Sequence, residues 1–201
     1  MKILTSLDYR YKQILSDCFL STLPQCELTM EYINRDIKEC EGKFGSHDTL
    51  YKIPFILKEM EKCKEGERLI YSDVDIVFLN KNIIDIVNNL QGADMYIQWD
   101  RPDGTVCLGF MVIINNENSR NYLRKFLEVD VDYIIKNFGF SLMYFKHLKE
   151  KYSWNIKSLP MEFYGGQMEH YNIPQPSEIY LYHATYQPTM EAKYNKLKSF
   201  I

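Results

Sequence analysis

The stretch Glu67-Arg-Leu-Ile-Tyr-Ser-Asp73-Val-Asp75-Ile-Val-Phe-Leu79 decides how the chain is read. Arg68 to Ser72 is a short apolar run, which predicts a buried strand rather than a helix. That strand delivers two carboxylates, Asp73 and Asp75, at its carboxyl end, where open α/β sheets gather their ligands. Desolvating two like charges is costly, and a bound divalent cation would offset the cost. Hard oxygen ligands suit Mg²⁺ or Mn²⁺, and either ion can hold substrate phosphates. A lone D-x-D is common, and in the ordinary account one Asp caps the next segment while the other is solvated. His183, in Tyr180-Leu-Tyr-His183-Ala-Thr-Tyr186, follows the last predicted strand and so falls at a second strand end. Alone it reads as a satisfied, partly buried histidine. With two Asp it completes a ligand set for Mn²⁺, the imidazole favouring Mn²⁺ over Mg²⁺.

Outward from this stretch, strand and helix patterns alternate. Lys2 to Thr5 predicts a strand, and Tyr11 to Leu23 a helix stopped by Pro24. Glu27 to Ile33 alternates as a strand. Asp48 is read as the cap of a helical stretch running to Cys63, with Pro54 opening its main helix because an interior Pro would break it. Asn82 to Leu90 reads as a helix, Asp94 to Gln98 as a strand and Asp100 to Val106 as a polar loop. Phe110 to Ile114 predicts a strand and Ser119 to Leu127 a helix. Val131 to Lys151 is helical with a break at Gly139. Trp154 to Leu159 and Ile179 to Tyr182 are late strands separated by a Gly- and Pro-containing loop. This alternation predicts one α/β domain over residues 1–201, with helices on both faces of a mostly parallel sheet.

Composition narrows the classes. The 201 residues are 46% hydrophobic and 25% charged, a globular mixture rather than a disordered one. No apolar run reaches the ~18–20 residues of a membrane helix, and the opening MKILTSLDYRYK does not read as a signal peptide. A net charge of −3 offers no general basic surface for nucleic acid. Cysteines 18, 26, 40, 63 and 107 are odd in number and lack a CxxC, which predicts free thiols in a reducing, cytoplasmic setting. The absence of an N-x-[ST] sequon points the same way.

Five features in order resemble the nucleotide-diphospho-sugar glycosyltransferases of the GT-A fold. Asp73-Val-Asp75 resembles their DxD motif, and Lys52-Ile-Pro54 resembles the lysine on the helix before it. Asp94-Met-Tyr-Ile-Gln-Trp-Asp100 resembles the next strand with its acidic end. Leu108-Gly109-Phe110 resembles the family's Asn-x-Gly-Phe, and His183-Ala-Thr with Lys193 resembles its closing His-Ala-Asn and downstream lysine. Two departures are visible. Cys107 stands near the usual Asn, and the family's Asp-Gln pair is absent, with only Asp130 and Asp132 in that region.

The resemblance implies a GT-A (Rossmann-like) α/β/α sandwich. It also implies metal-dependent transfer from a nucleotide-diphosphate sugar, a UDP-sugar foremost, to a carbohydrate or glycoconjugate acceptor. It assigns Asp73, Asp75 and His183 to Mn²⁺ (or Mg²⁺). The nucleotide falls to Thr5, Ser6, Asp8, Tyr9, Lys52, Asp73 and Lys193. Asp100, Asp103, Gly109 and Gln167 lie on the sugar and acceptor side. If transfer inverts configuration, Asp100 is the first choice for a general base, whereas retention would need a nucleophile or a front-face route. A haloacid-dehalogenase-like phosphatase also ends a strand in D-x-D, but there the motif normally opens the domain, whereas about seventy residues precede it here. A GT-A domain that binds nucleotide or sugar without turnover is the other alternative.

Overall fold

The computed structural model describes residues 1–33 and 46–201, with side chains at all of these except 46–50. Asp48, expected to cap this region's helix, lies inside the helix Ser46–Met60, whose start precedes it; the expectation for Cys40 as a free thiol falls outside the described residues. Six strands form the main sheet in the order β2-β1-β3-β6-β5-β7: β1 is Lys2–Leu7, β2 Glu27–Tyr32, β3 Arg68–Ser72, β5 Met95–Trp99, β6 Val106–Ile114 and β7 Ile156–Ser158. β6 alone runs against its neighbours β3 and β5, so the sheet is mixed but mostly parallel.

Strand residues are sorted between two cores with a period of two, as pleating requires. Leu4, Leu69, Tyr71, Met111 and Ile113 face one layer, formed with Ile53, Phe55, Ile56 and Met60 of the helix Ser46–Met60 and with Leu123, Phe126 and Phe145. Ile3, Ile70, Phe110 and Val112 face the other, packed on Leu15, Phe19, Ile83, Val87, Phe163 and Met168. Both faces are covered, which is why the central strands read as continuous apolar runs rather than alternating ones. The result is a three-layer α/β/α sandwich, as the sequence predicts.

Four details depart from the sequence reading. Pro54 lies inside the helix Ser46–Met60 and does not open it. The buried face around it holds the helix despite the missing N–H, tertiary packing overriding local propensity. The loop expected before the last strand contains a 3-10 turn, Met161–Phe163, and a helix, Gly165–His170. Two leading glycines disguise that helix in the sequence. The strand at Phe110 begins earlier, at Val106, so Cys107 and Gly109 are strand residues. Finally, the last strand, β8 (Leu181–His183), leaves the main sheet and pairs antiparallel with β4 (Ile76–Phe78) in a two-stranded ribbon. Each has three residues, too few for a pattern to reveal their pairing.

Pro54→Ala restores a helix hydrogen bond at an interior position. It should raise stability by about 1–3 kcal/mol, read as a higher urea midpoint at unchanged slope.

Candidate active site

Where β3 ends at Ser72 the chain turns through Asp73-Val74-Asp75 and enters β4. The β4–β8 pairing sets Ile76 opposite His183, and Ala184 N–H donates to the Asp75 carbonyl at 2.9 Å. A ribbon of three-residue strands thus joins two segments over a hundred positions apart. One ligand atom from each of Asp73, Asp75 and His183 lies within 4.8 Å of the others. His183 Nε2 is 3.3 Å from Asp75 Oδ1 and 4.0 Å from Asp73 Oδ2.

β6 supplies the floor. Asp73 N–H donates to the Gly109 carbonyl at 2.6 Å. A Cβ on Gly109 would stand 2.9 Å from Asp73 Oδ2 and would collide with the His183 ring. Gly166 plays the same part behind the site, since its Cβ would run into the His183 carbonyl. Both positions need glycine for close approach.

Each carboxylate is met by a lysine. Lys52 Nζ is 2.8 Å from Asp73 Oδ1, which also accepts from Tyr71 Oη at 3.0 Å. Lys193, on the helix Met190–Lys198 capped by Thr189, donates to Asp75 Oδ2. Burial alone would raise the Asp75 pKa, but Lys193 and His183 hold it well below the usual carboxylate range. Burial likewise opposes a charged His183, yet the Asp75 carboxylate outweighs it and the imidazole pKa is raised to about 10. His183 therefore carries a proton at neutral pH when no cation is bound. Two oxygens and an imidazole converging beside a glycine-cleared floor fit a divalent ion of the Mg²⁺ or Mn²⁺ kind.

The cluster faces a cavity of about 890 Å³. Such a volume suits a nucleotide-sized ligand. Its lining includes Ser6, Asp8, Lys52, Asp73, Asp75, Asp100, Gly109, His183 and Lys193 from the sequence-predicted set. The other four lie elsewhere. Thr5 is fully buried in β1, and Tyr9 is 63% exposed outside the lining. Asp103 caps its own turn, accepting from Thr105 N and Oγ1 at 2.8 and 2.6 Å. Gln167 is buried on the Gly165–His170 helix, its amide without a hydrogen-bond partner among the described residues. Asp8 is engaged by Arg10, through the backbone N–H at 2.9 Å and the guanidinium.

Residues that the sequence reading missed also line the cavity, chiefly Tyr11, Phe140 and Tyr186, together with Cys107, which that reading noted only as a departure near the family's Asn. Tyr186 donates its hydroxyl to the Asp100 backbone carbonyl and to Asp100 Oδ1, the latter at 3.0 Å, and its ring stacks on His170 with centroids 3.9 Å apart. Burial raises the Asp100 pKa above the usual range. Among 16 tyrosines no sequence signal separates Tyr11 from Tyr9. The 3-10 turn Tyr9–Tyr11 does so, because residues two apart in such a turn face different sides.

Solved structures share this architecture. The apo-form glycosyltransferase GlyE of Streptococcus pneumoniae TIGR4 superposes with a TM-score of 0.59 at 15% identity, over 98% of this chain and 59% of that one. This chain thus spans less than two thirds of GlyE. A glycosyltransferase involved in glycosylation of the major capsid of PBCV-1 gives 0.63 at 10% identity, over 98% of each chain. Mouse xyloside xylosyltransferase 1 gives 0.56 at 13% identity, over 94% of this chain and 99% of that one. These likenesses define the fold as that of the GT-A glycosyltransferases. No curated protein matches in sequence. The family profile described as nucleotide-diphospho-sugar transferase matches residues 63–197, and the chain belongs to that family. The family match takes in both aspartates and His183, and the dehalogenase-like reading is set aside with it.

Two outcomes check the site. A cation bound at His183 Nε2 displaces the proton that Asp75 holds there. Mn²⁺ affinity should then rise with pH through the neutral range, about tenfold per unit if one proton leaves. Calorimetry in buffers of different ionisation enthalpy would count that proton, and zero release would exclude His183 as a ligand. Gly109→Ala should weaken Mn²⁺ binding by ~10-fold or more while circular dichroism stays native.

Proposed function

We propose that the protein transfers a sugar from a nucleotide-diphosphate sugar to a carbohydrate or glycoconjugate acceptor. The convergence of Asp73, Asp75 and His183 at the edge of a nucleotide-sized cavity carries this reading. These three side chains would hold Mn²⁺, or Mg²⁺. A divalent cation bound there supplies positive charge for the diphosphate that leaves as the anomeric C–O bond breaks.

The chain's own residues have distinct tasks. Ser6, Asp8 and Tyr11, at the carboxyl end of β1, are assigned to the nucleoside, with the Tyr11 ring as a stacking face in place of Tyr9. A UDP-sugar is the favoured donor. Lys52 holds Asp73 in place through its 2.8 Å bond, so its first task is to orient that carboxylate. Lys193 brings a mobile cation to the diphosphate side. Tyr186 fixes Asp100 in the cavity wall. Desolvation draws the Asp100 pKa toward working pH, which suits a general base for an acceptor hydroxyl. Phe140 and Leu142 help to line the cavity. That wall is apolar and would take one face of a sugar ring or an aglycone.

Among the described residues, no helix is long and apolar enough to cross a membrane. Cys18, Cys26, Cys63 and Cys107 are free thiols, in keeping with a reducing compartment, and the cytoplasm remains our assignment.

Purified protein should turn over at least one member of a nucleotide-sugar panel with Mn²⁺ and none after chelation. Asp75→Ala should abolish turnover and Mn²⁺-dependent nucleotide binding together. Binding without turnover of any donor would instead support a non-catalytic domain. Asp100→Asn should lower kcat by roughly 10²–10⁴-fold and remove an acid limb lying above the ordinary carboxylate range. An unchanged pH profile would take Asp100 out of the mechanism.

A further inference from the structure

The two lysines at the site are held differently. Lys52 is 6% exposed, also donates to the Leu108 carbonyl at 3.3 Å, and lies 4.9 Å over the Tyr71 ring. It bonds Asp73 Oδ1, whereas Oδ2 is the oxygen that faces His183 at 4.0 Å. A cation could be ligated by Oδ2 with Lys52 undisturbed.

Lys193 has no such arrangement. Asp75 presents Oδ1 to His183 at 3.3 Å and Oδ2 to the Lys193 ammonium, so both of its oxygens are already engaged. The ammonium has one hydrogen-bond partner among the described residues, Asp75, and its nearest aromatic support is the Tyr11 ring at 5.9 Å. The side chain lines the cavity, is 15% exposed, and hangs on a flexible four-carbon stem. A divalent ion on Asp75 would stand against this ammonium as a like charge only a few ångströms away. In a partly buried site that repulsion is weakly screened.

From this geometry we infer that Lys193 is a displaceable counter-ion: it neutralises Asp75 in the metal-free protein and turns to the diphosphate once metal and nucleotide enter. The inference rests on the proposed nucleotide-sugar function and adds a coupling to it. Metal alone must evict Lys193 into solvent. With a diphosphate present the evicted ammonium gains a new anionic partner. Each ligand then strengthens the other by the same factor, since coupling between binding sites is reciprocal. A lysine that served only to hold the fold would predict the opposite response to its removal.

Free Mn²⁺ can be followed by electron paramagnetic resonance with Mn²⁺ alone and with Mn²⁺ plus UDP. Lys193→Met removes one competing unit charge and should bind Mn²⁺ alone about tenfold more tightly than the unmutated protein. The gain in Mn²⁺ affinity on adding UDP should shrink in that variant and persist in Lys193→Arg. In the unmutated protein, Mg²⁺ should speed reductive methylation of Lys193 and UDP should then slow it, a reading that needs no variant to fold. Mn²⁺ affinity in Lys193→Met equal to or below that of the unmutated protein would overturn the inference, as would Lys193 labelling indifferent to Mg²⁺. If donor turnover survives alongside either result, only the counter-ion role falls. If the unmutated protein binds neither Mn²⁺ nor UDP, the functional reading falls with it.

Discussion

Two carboxylates forced close together at the carboxyl end of a central strand set the terms for everything around them. Asp75 is 5% exposed, and charges so buried persist only when paired. Lys193 and His183 pair it from two sides, and Lys52 does the same for Asp73. Removing one partner would leave a buried charge uncompensated. The last forty residues of the chain can be understood as the means of supplying the two partners of Asp75. The β4–β8 ribbon carries the imidazole, and the helix beyond it carries the ammonium.

Close approach is the second constraint. His183 reaches Asp75 only because its neighbours on two sides have no side chain. Gly109 clears the space in front of the ring, and Gly166 lets a helix press against the backbone behind it. Both glycines lie in elements where glycine is otherwise unfavourable, a strand and a helix. Local stability is given up so that the ligand set can converge. The buried, unpartnered amide of Gln167 beside Gly166 belongs to the same crowded region.

The cavity joins this charged cluster to a more apolar wall. On one side stand the carboxyl ends of β1 and β3 with Asp8, Tyr11 and the aspartates. On the other stand Phe140 and Leu142. Asp100 lies between, at the end of β5, tied to Tyr186 from the segment after β8. On the proposed reading, the charged side would take a diphosphate and the less polar side an acceptor, the division that group transfer between a nucleotide sugar and a second molecule requires. Water must be kept from the anomeric carbon while the leaving group is stabilised.

The amino-acid sequence by itself determined the alternation of strands and helices, the aspartate pair at the end of β3, the histidine and the lysines that join it. These are local signals: periodicity, a short apolar run ending in charge, and an ordered set of motifs. What lies over distance was hidden. Which tyrosine faces the cavity depends on a single 3-10 turn, and no composition rule separates Tyr11 from Tyr9. Asp103 and Asp100 look alike in the polar loop, yet one caps its own turn while the other is buried in the cavity wall. Pro54 would break a helix on propensity alone, but the buried face from Ile53 to Met60 holds it. Tertiary structure decided these points because side-chain direction, burial and pairing are set by contacts between segments far apart in the chain. A sequence pattern records only what each segment can do alone.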